Sequence, residues 1–337
     1  MRQQPVQPDR LIEQARIRMR ELVPESADLL LAVSGGLDSM VLLHLAVQAA
    51  AVEPRRLAVA HLNHGLRAQA GQHDASLVQA AAADCGLQYF AETLPENALK
   101  SASVGSLEEA ARAARYSFLE RTARAQNFCF VAVAHHSNDQ AETVLLNIAR
   151  GTGLAGLRGM PDRRLLSPGV QLVRPLLDFS RAELAAFAAD RGISYAEDAS
   201  NSSSEFTRNR IRHQILPALR ESLNPGVDQA LVRLARQAGE QLACLDALAD
   251  QLLEQAILEC SESIVRLSRS RLLQSPEPLI RHALIRLWDR QGWPRQRLTA
   301  AHWLRTTALL LLQNSSVSLP EGLLAESRAD LLILRRG

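Results

Sequence analysis

Apolar residues in the first half of the chain form short runs separated by longer segments with helical character. The short runs, at residues 29–33, 56–61, 87–92 and 128–134, have the length and composition of buried strands. Helical spacing or alanine-rich composition covers residues 9–22, 40–45, 70–83, 106–124 and 139–150. Strands that alternate with helices indicate βαβ units. The pattern therefore predicts an α/β fold with a doubly wound, mainly parallel sheet.

The pattern becomes mostly helical after residue 216, and the segment 217–225, with a proline at each end, predicts a boundary. Helical patterns cover residues 180–191, 227–258, 278–291 and 299–312, while residues 317–334 alternate as in a small pair of strands. We predict a first domain at 1–216, a helical linker at 217–264 and a smaller, mostly helical domain at 265–337. Three tryptophans of the last region could stack on bases, but burial in the core is the simpler interpretation: Trp288, Trp293 and Trp303.

The connection between the first predicted strand and its helix reads SGGLDS, residues 34–39. Its two glycines allow a sharp turn and a close approach of the backbone to a ligand. The N–H groups of the loop and of the first helical turn, with the helix dipole behind them, favour an anion. Asp38 would repel a phosphate unless a cation lay between them, so the loop indicates a magnesium-bound polyphosphate. The alternative is an ordinary glycine-containing turn.

Polar residues also follow two further predicted strands, at residues 61–67 and 135–142. The carboxyl ends of parallel strands open at one edge of a sheet, where α/β proteins bind ligands. Asp139 and Glu142 occupy neighbouring helix positions and could bind a cation or act as a base, or could be the acids of an ordinary first helical turn. Four histidines fit polar site residues better than ligands of a transition metal: His61, His64, His135 and His136.

Two basic segments are candidates for contact with a ligand. Residues 151–156 match GxGxxG, but they follow a helix rather than a strand, so they predict a glycine loop and no dinucleotide site. The basic neighbours of this loop could face solvent or contact a substrate: Arg150, Arg158, Arg163 and Arg164. Arg208, Arg210 and Arg212 cannot all share one helical face, so one or two of them are expected at the ligand.

Composition narrows the class of protein. With 337 residues and a net charge of +2, the chain can form two domains, and any contact with nucleic acid must use local basic patches. No apolar run approaches the ~20 residues of a membrane span, and the first residues lack the apolar core of a secretion signal, so we expect a cytoplasmic protein without membrane contact. The four cysteines are isolated, which argues against a zinc or iron–sulfur site, and Cys129 is expected in the core.

Taken together, these segments resemble a known family. SGGLDS resembles the pyrophosphate-loop (PP-loop) signature of ATP pyrophosphatases, which release AMP and pyrophosphate. HLNHGLR (61–67), AHHSNDQAET (134–143), RGTGLAGLRGM (150–160), RPLL (174–177) and SEFTRNRIRHQILP (204–217) are similar, in order and spacing, to segments of tRNA(Ile)-lysidine synthetases. The resemblance is close over residues 29–216 and weaker over 265–334. It implies a PP-loop ATPase fold, of the type called adenine nucleotide alpha hydrolase-like.

The resemblance also implies an activity. ATP would adenylate the C2 oxygen of the wobble cytidine in a tRNA(Ile) with a CAU anticodon, and free L-lysine would then displace AMP to give lysidine. Such an enzyme is a C–N ligase of tRNA processing that uses ATP and Mg²⁺. Its expected partners are this tRNA and lysine, and we include a homodimer among the expected assemblies.

Residue roles follow from the same resemblance. The PP-loop would bind ATP through Ser34, Gly35, Gly36, Leu37, Asp38 and Ser39. Asp38 would also hold Mg²⁺. Asp139 and Glu142 would hold and deprotonate lysine. Arg115 and one or both of Arg208 and Arg212 would contact the phosphates or the adenylate. His135 and His136 would border the reacting base.

Two other functions are compatible with parts of the sequence. A related enzyme could thiolate a tRNA cytidine or uridine, although such relatives generally need cysteine pairs. A nucleotide-regulated RNA-binding module without catalysis could keep the same fold, but the intact Ser34, Asp38, Asp139 and Glu142 argue against it.

Overall fold

The computed structural model describes residues 8–65, 68–95, 107–196, 207–295 and 297–336, except for the side chains of 68–70 and 108. Expectations that concern residues 66, 67, 106 and 204–206 lie outside these ranges. The chain divides into two compact units, Met1–Arg236 and Gln237–Gly337. The division falls within the region 217–264 that was predicted as a linker.

The first unit is built on a six-stranded sheet with the order β3-β2-β1-β4-β6-β5. Its strands are β1 (Leu29–Ala32), β2 (Leu57–Asn63), β3 (Gln88–Thr93), β4 (Phe130–Ala132), β5 (Arg163–Ser167) and β6 (Val170–Val173). Neighbouring strands are parallel except for β5, which runs antiparallel to β6 at the edge. The predicted doubly wound, mainly parallel sheet is therefore confirmed.

Helices cover both faces of this sheet. In chain order, the α-helices of this part of the protein are α1 (Pro8–Leu22), α2 (Leu37–Val52), α3 (Ala68–Asp84), α4 (Leu107–Ala125), α5 (Ser137–Ala149), α6 (Leu154–Leu157), α7 (Arg181–Asp190), α8 (Thr207–Arg210) and α9 (Leu216–Ser222). Successive side chains of a strand point to opposite faces. Leu29 and Leu31 accordingly pack in the core formed with α1, α2 and α7, whereas Leu30 packs in a second core with Phe118 and Leu119 of α4.

One local expectation for the first unit was wrong, and two local features had not been predicted. The hairpin β5–β6 was not predicted, although Pro168-Gly169 at its turn is a typical turn pair and Gly169 has a φ of 83°. Pro217 does not end a helix, because it lies in the first turn of α9, where a proline needs no N–H partner. Cys129 is exposed rather than buried, because it precedes β4 instead of lying within it.

The second unit contains a five-stranded antiparallel sheet with the order β7-β8-β11-β10-β9. The strands are β7 (Ile257–Cys260), β8 (Ile264–Ser268), β9 (Ser315–Leu319), β10 (Leu323–Arg328) and β11 (Leu331–Arg336). The helices, of which α10 begins before the division, are α10 (Val227–Ala256), α11 (Arg269–Leu272), α12 (Glu277–Arg290) and α13 (Ala300–Ala308). Helices contribute more residues than strands, as predicted, but the expected strand pair is in fact part of a larger sheet.

The tryptophans of the second unit lie in its core, as expected. Trp288 is fully buried and contacts Trp293 and Trp303 edge to face, with ring centroids 4.9 and 5.3 Å apart. Such pairs stabilise a core beyond simple burial of area. Across the described parts of the chain, no helix is long and apolar enough to cross a membrane.

Candidate active site

Residues 34–39 form a closed loop between β1 and α2. The Ser39 hydroxyl accepts a hydrogen bond from the Ser34 N–H (3.1 Å) and donates one to the Gly36 carbonyl (2.9 Å). Gly35 has a φ of 95°, and a Cβ at this position would lie 3.4 Å from Val78 Cγ2. The first N–H groups of a helix have no acceptor within the helix. Because the residues that begin α2 line a large cavity, this turn is suited to hold an anion, as the sequence predicted.

The cavity has a volume of about 1070 Å³ and lies at the carboxyl ends of β1, β2 and β4. This volume is at the upper end of typical ligand pockets, so there is room for a nucleotide together with part of a second substrate. The convergence of the three polar groups predicted from the sequence is thus observed. The wall of the cavity includes Ser34, Gly36, Leu37, Asp38, Ser39, His61, His64, Arg115, His135 and Arg212.

Asp38 has the surroundings of a cation ligand. Its Oδ1 atom is buried and has no hydrogen-bond partner among the described residues, and its Oδ2 lies 3.6 Å from Nε2 of His136. A buried carboxylate oxygen without a partner is costly, and a bound cation would satisfy it. Among the described residues there is no group of three or more His, Cys, Asp or Glu that could hold a metal. Magnesium here would therefore take Asp38 and complete its shell with phosphate oxygens and water, as Mg²⁺ commonly does.

His136 joins the loop to the start of α5. It is 4% exposed, and its Nε2 lies between carboxylate oxygens of Asp38 (3.6 Å) and Asp139 (3.5 Å). Its backbone N–H donates to Asp139 Oδ2 at 3.0 Å. Burial alone would lower the pKa of His136, but the two carboxylates outweigh burial and raise it. The raised pKa favours protonation of this ring, which would add a positive charge beside the predicted phosphate site.

Arg174 fixes the protonation of His135. Its Nε–H donates to His135 Nδ1 at 3.1 Å, and its Nη1 donates to the Pro161 carbonyl at 2.5 Å. Arginine cannot accept a hydrogen bond, so Nδ1 of His135 is the acceptor and the ring proton lies on Nε2. Burial, with Arg174 and two further arginines nearby, holds the pKa of His135 well below its usual value against the opposing pull of Asp139. His135 thus presents a neutral ring to the cavity.

Lowering the pH is expected to destabilise the protein through His135. Because its pKa in the folded state lies below the usual 6.5, the unfolded chain binds a proton that the folded protein does not. The free energy of unfolding should fall as the pH drops below 6.5, by up to about 1.4 kcal/mol per pH unit for this one group. His135→Gln should remove that part of the slope in urea unfolding at several pH values. An unchanged slope in this variant would contradict the assignment.

The two acids and two arginines predicted for different ligands form one network. Arg208 donates from Nε to Glu142 Oε2 (2.9 Å) and from Nη2 to Asp139 Oδ1 (3.1 Å). Arg212 donates from Nε to Glu142 Oε1 (2.5 Å) and from Nη2 to Asp139 Oδ1 (3.1 Å). The two arginines lie four residues apart on one face, whereas Arg210 is exposed, so the structure brings Arg208 and Arg212 to the two acids.

This network changes the interpretation of the two carboxylates. Glu142 is 2% exposed and Asp139 is 8% exposed, and neither forms part of the cavity wall, whereas Arg212 does. The sequence placed both acids in direct contact with a cationic ligand. In this structure the cation is supplied by the chain itself, so the acids position Arg208 and Arg212.

The remaining histidines do not form a metal site in the described part of the chain. His61 is 2% exposed and its Nδ1 lies 2.9 Å from the Val33 carbonyl oxygen, and burial lowers its pKa. Burial, with the Arg115 charge nearby, also lowers the pKa of His64. Both rings belong to the cavity wall.

Comparison with known proteins gives a consistent family. Residues 11–219 match the model of the PP-loop domain family. The chain is 38% identical to the tRNA(Ile)-lysidine synthase of Chlorobaculum tepidum over 235 residues, which cover 70% of each chain. It is 31% identical to the tRNA(Ile)-lysidine synthase of Nostoc sp. over 95% of each chain. The chain belongs to the tRNA(Ile)-lysidine synthase family. The resemblance carried by the sequence segments is confirmed.

Other relatives in this family are longer, and the chain spans about half to three fifths of their length. Among solved structures, the U34-tRNA thiolase NcsA from Methanococcus maripaludis aligns with a TM-score of 0.56 over 68% of this chain and 80% of its own, at 18% identity. At that identity the likeness establishes the PP-loop fold alone, and it agrees with the predicted fold class.

Sequence reasoning missed Arg174, which is 2% exposed and holds His135. The signal was present in RPLL (174–177), a segment that resembles the family and that had been given no role. An arginine directly after a strand that neighbours β4 would be expected near the other strand ends.

Proposed function

We propose that this protein ligates free L-lysine to C2 of the wobble cytidine of tRNA(Ile) with a CAU anticodon, using ATP and releasing AMP and pyrophosphate. The observation that carries the proposal is that the loop 34–39, Asp38 and Arg212, which Asp139 and Glu142 hold, line one cavity. These residues stand in segments that resemble the lysidine synthase family, to which the chain belongs.

The first half of the reaction makes the C2 oxygen a leaving group. The cytidine oxygen attacks the α-phosphorus of ATP, the bond to the β-phosphate bridge breaks, and pyrophosphate leaves. Negative charge grows on the departing group, and the loop amides of residues 35–38 are preorganised to receive it. Magnesium, when bound at Asp38, would neutralise phosphate charge and orient the leaving group. Arg115, on the cavity wall, has a buried Nε without a partner among the described residues and can contact the phosphates.

The neutral His135 can act as a hydrogen-bond donor in this step. Because Arg174 donates a hydrogen bond to Nδ1, the proton of the neutral ring lies on Nε2. This N–H group is available as a donor to a ligand at neutral pH. A donor beside the reacting base can hold the cytidine in place. We assign His135 this positioning role, and we assign His136, which lies 3.6 Å from Asp38, to the phosphates.

The second half of the reaction brings lysine to the adenylated base. The amine attacks C2, the C2–O bond breaks with release of AMP, and the amine loses a proton. Asp139 and Glu142 can pair with the ammonium group of lysine only when Arg208 and Arg212 leave them and turn toward the phosphates of ATP. We infer an exchange in which ATP draws the arginines away and the carboxylates become available for lysine. Each ion pair is thereby replaced by another, and no buried charge is left alone.

The exchange predicts that ATP and lysine bind cooperatively. A non-hydrolysable ATP analogue with magnesium should lower the Kd of lysine by about fivefold or more, which is at the low end of ordinary coupling between sites. Isothermal titration of lysine with and without the analogue measures the effect. Equal affinities in the two titrations would contradict the exchange.

Dependence of ATP turnover on both other substrates tests the proposed activity. We expect AMP to accumulate in a sustained way only when tRNA(Ile) and lysine are both present, and no turnover with other amino acids. A thiolation activity is disfavoured because none of the cysteines lies on the cavity wall: Cys85, Cys129, Cys244 and Cys260. AMP production that ignores lysine would refute the proposal. A tRNA substrate makes the cytoplasm the proposed location, and the homodimer stays a prediction.

A further inference from the structure

Three arginines surround the ring of Tyr116 beside the proposed active site. The guanidinium carbons of Arg112, Arg115 and Arg164 lie 5.0, 5.4 and 4.5 Å from the ring centroid. These distances are within the range of cation–π contact. Arg112, Arg115 and Tyr116 come from α4 and Arg164 comes from β5, so a helix and an edge strand together build the cluster. We call these four residues the arginine–tyrosine cluster.

The described part of the structure provides no carboxylate partner for the positive charge of this cluster. Among the side chains that the structure describes, no ion pair involves Arg112, Arg115, Arg164 or the neighbouring Arg174. Arg174 is 2% exposed. Burial, with Arg164 and Arg112 nearby, lowers its pKa to about 10, although the Tyr116 phenol opposes the shift. The Tyr116 hydroxyl is buried; burial raises the pKa of this phenol, but the surrounding arginines outweigh burial and lower it. Burying several positive charges close to one another costs free energy, and a bound anion would reduce that cost. The cluster is therefore suited to bind an anion.

The position of the cluster favours a long polyanion over a nucleotide. Arg115 belongs to the cavity wall, but Arg112 and Arg164 do not. A ligand that contacts all three must therefore continue from the cavity to the outside. ATP bound at residues 34–39 would end within the cavity, whereas a tRNA loop with one base inserted has backbone phosphates outside it.

We propose that Arg112 and Arg164, held against Tyr116, bind a backbone phosphate of the tRNA next to the nucleotide that enters the cavity. This inference rests on the proposed function, because that function supplies the tRNA. Tyr116 acts as a positioning residue, since its ring face holds the guanidinium groups apart and orients them. Arg115 links this phosphate site to the cavity.

The salt dependence of tRNA binding tests this site. Each lost phosphate contact should lower the slope of log K against log salt by about 0.7 for a single-stranded segment. We expect Arg112→Gln and Arg164→Gln each to weaken the Kd of tRNA(Ile) about tenfold at low salt and to reduce the slope by about that amount. The Kd of ATP, measured without tRNA, should stay within about twofold of the unchanged protein.

Three further variants control for folding and for general charge. Arg164→Lys keeps the charge and should retain most of the salt slope, while Tyr116→Leu keeps the arginines and should weaken binding without changing the number of charges. Arg124→Gln, on the same helix with an exposed side chain, should leave both Kd values unchanged. Thermal unfolding of every variant shows whether the fold is kept.

The outcomes show whether the cluster binds tRNA or ATP. An unchanged tRNA Kd and slope in both glutamine variants would overturn the proposal. A weakened ATP Kd with unchanged tRNA binding would assign the cluster to the nucleotide and also overturn it. If the unchanged protein binds tRNA with a salt slope that the variants reduce, yet makes no lysidine, the phosphate site stands and the proposed function falls.

Discussion

Asp38→Asn should lower tRNA-dependent ATP–pyrophosphate exchange roughly a thousandfold. Asparagine has nearly the same shape, so the loop of residues 34–39 should remain closed by Ser39. The substitution removes the charge that would hold magnesium, and Oδ1, which has no partner in the described structure, would lose its cation. Exchange measured without lysine isolates the adenylation step from the attack by the amine.

A surface substitution provides the comparison for Asp38. Asp84→Asn, at the exposed end of α3, removes one carboxylate of the same unit and should leave exchange unchanged. Because His136 is held partly by Asp38, the Asp38 variant should also lower the pKa of His136, which NMR titration can follow. Full exchange activity in Asp38→Asn would refute the metal-binding role of Asp38.

Glu142→Gln should both lower the stability of the protein and weaken its use of lysine. Glu142 is almost fully buried and accepts hydrogen bonds from both Arg208 and Arg212. Removing its charge leaves two arginines with Asp139 alone, and breaking such a buried pair costs about 3 kcal/mol. We expect the free energy of unfolding to fall by that amount and the KM of lysine to rise at least tenfold, while the Kd of ATP does not weaken.

A matched ion pair separates stability from lysine use. Asp228 is buried, pairs with Arg220 at 2.6 Å and lies outside the cavity wall. Asp228→Asn should therefore reduce stability without changing the KM of lysine. An unchanged KM of lysine in Glu142→Gln would show that the proposed exchange of arginines for lysine is wrong. The network of Asp139, Glu142, Arg208 and Arg212 would then have only a structural role.

The fold and the place of the site could be predicted from the sequence because both depend on local patterns. Buried runs such as 29–33 mark strands, and parallel strands end at a common edge, so residues 34–39 and 135–142 had to approach one another. The tryptophans were placed correctly for a similar reason, since large apolar side chains are rarely left in water.

The pairing of charges could not be predicted, because it depends on contacts distant in sequence. Arg208 and Glu142 are 66 residues apart, and Arg174 and His135 are 39 apart. Composition identifies which groups can pair but not which ones meet, so acids and arginines were assigned to separate ligands. Cys129 shows the same limit at short range, since an apolar neighbourhood in the sequence did not determine that its side chain faces solvent.

The product formed on tRNA tests the central claim most directly. After incubation of the protein with tRNA(Ile), ATP, magnesium and labelled lysine, the tRNA is digested and its nucleosides are analysed by mass. The account predicts that the label appears in a single modified cytidine at the wobble position, with one lysine joined and one water lost. Nucleosides without label, or a cytidine that has gained sulfur from a labelled donor, would contradict it.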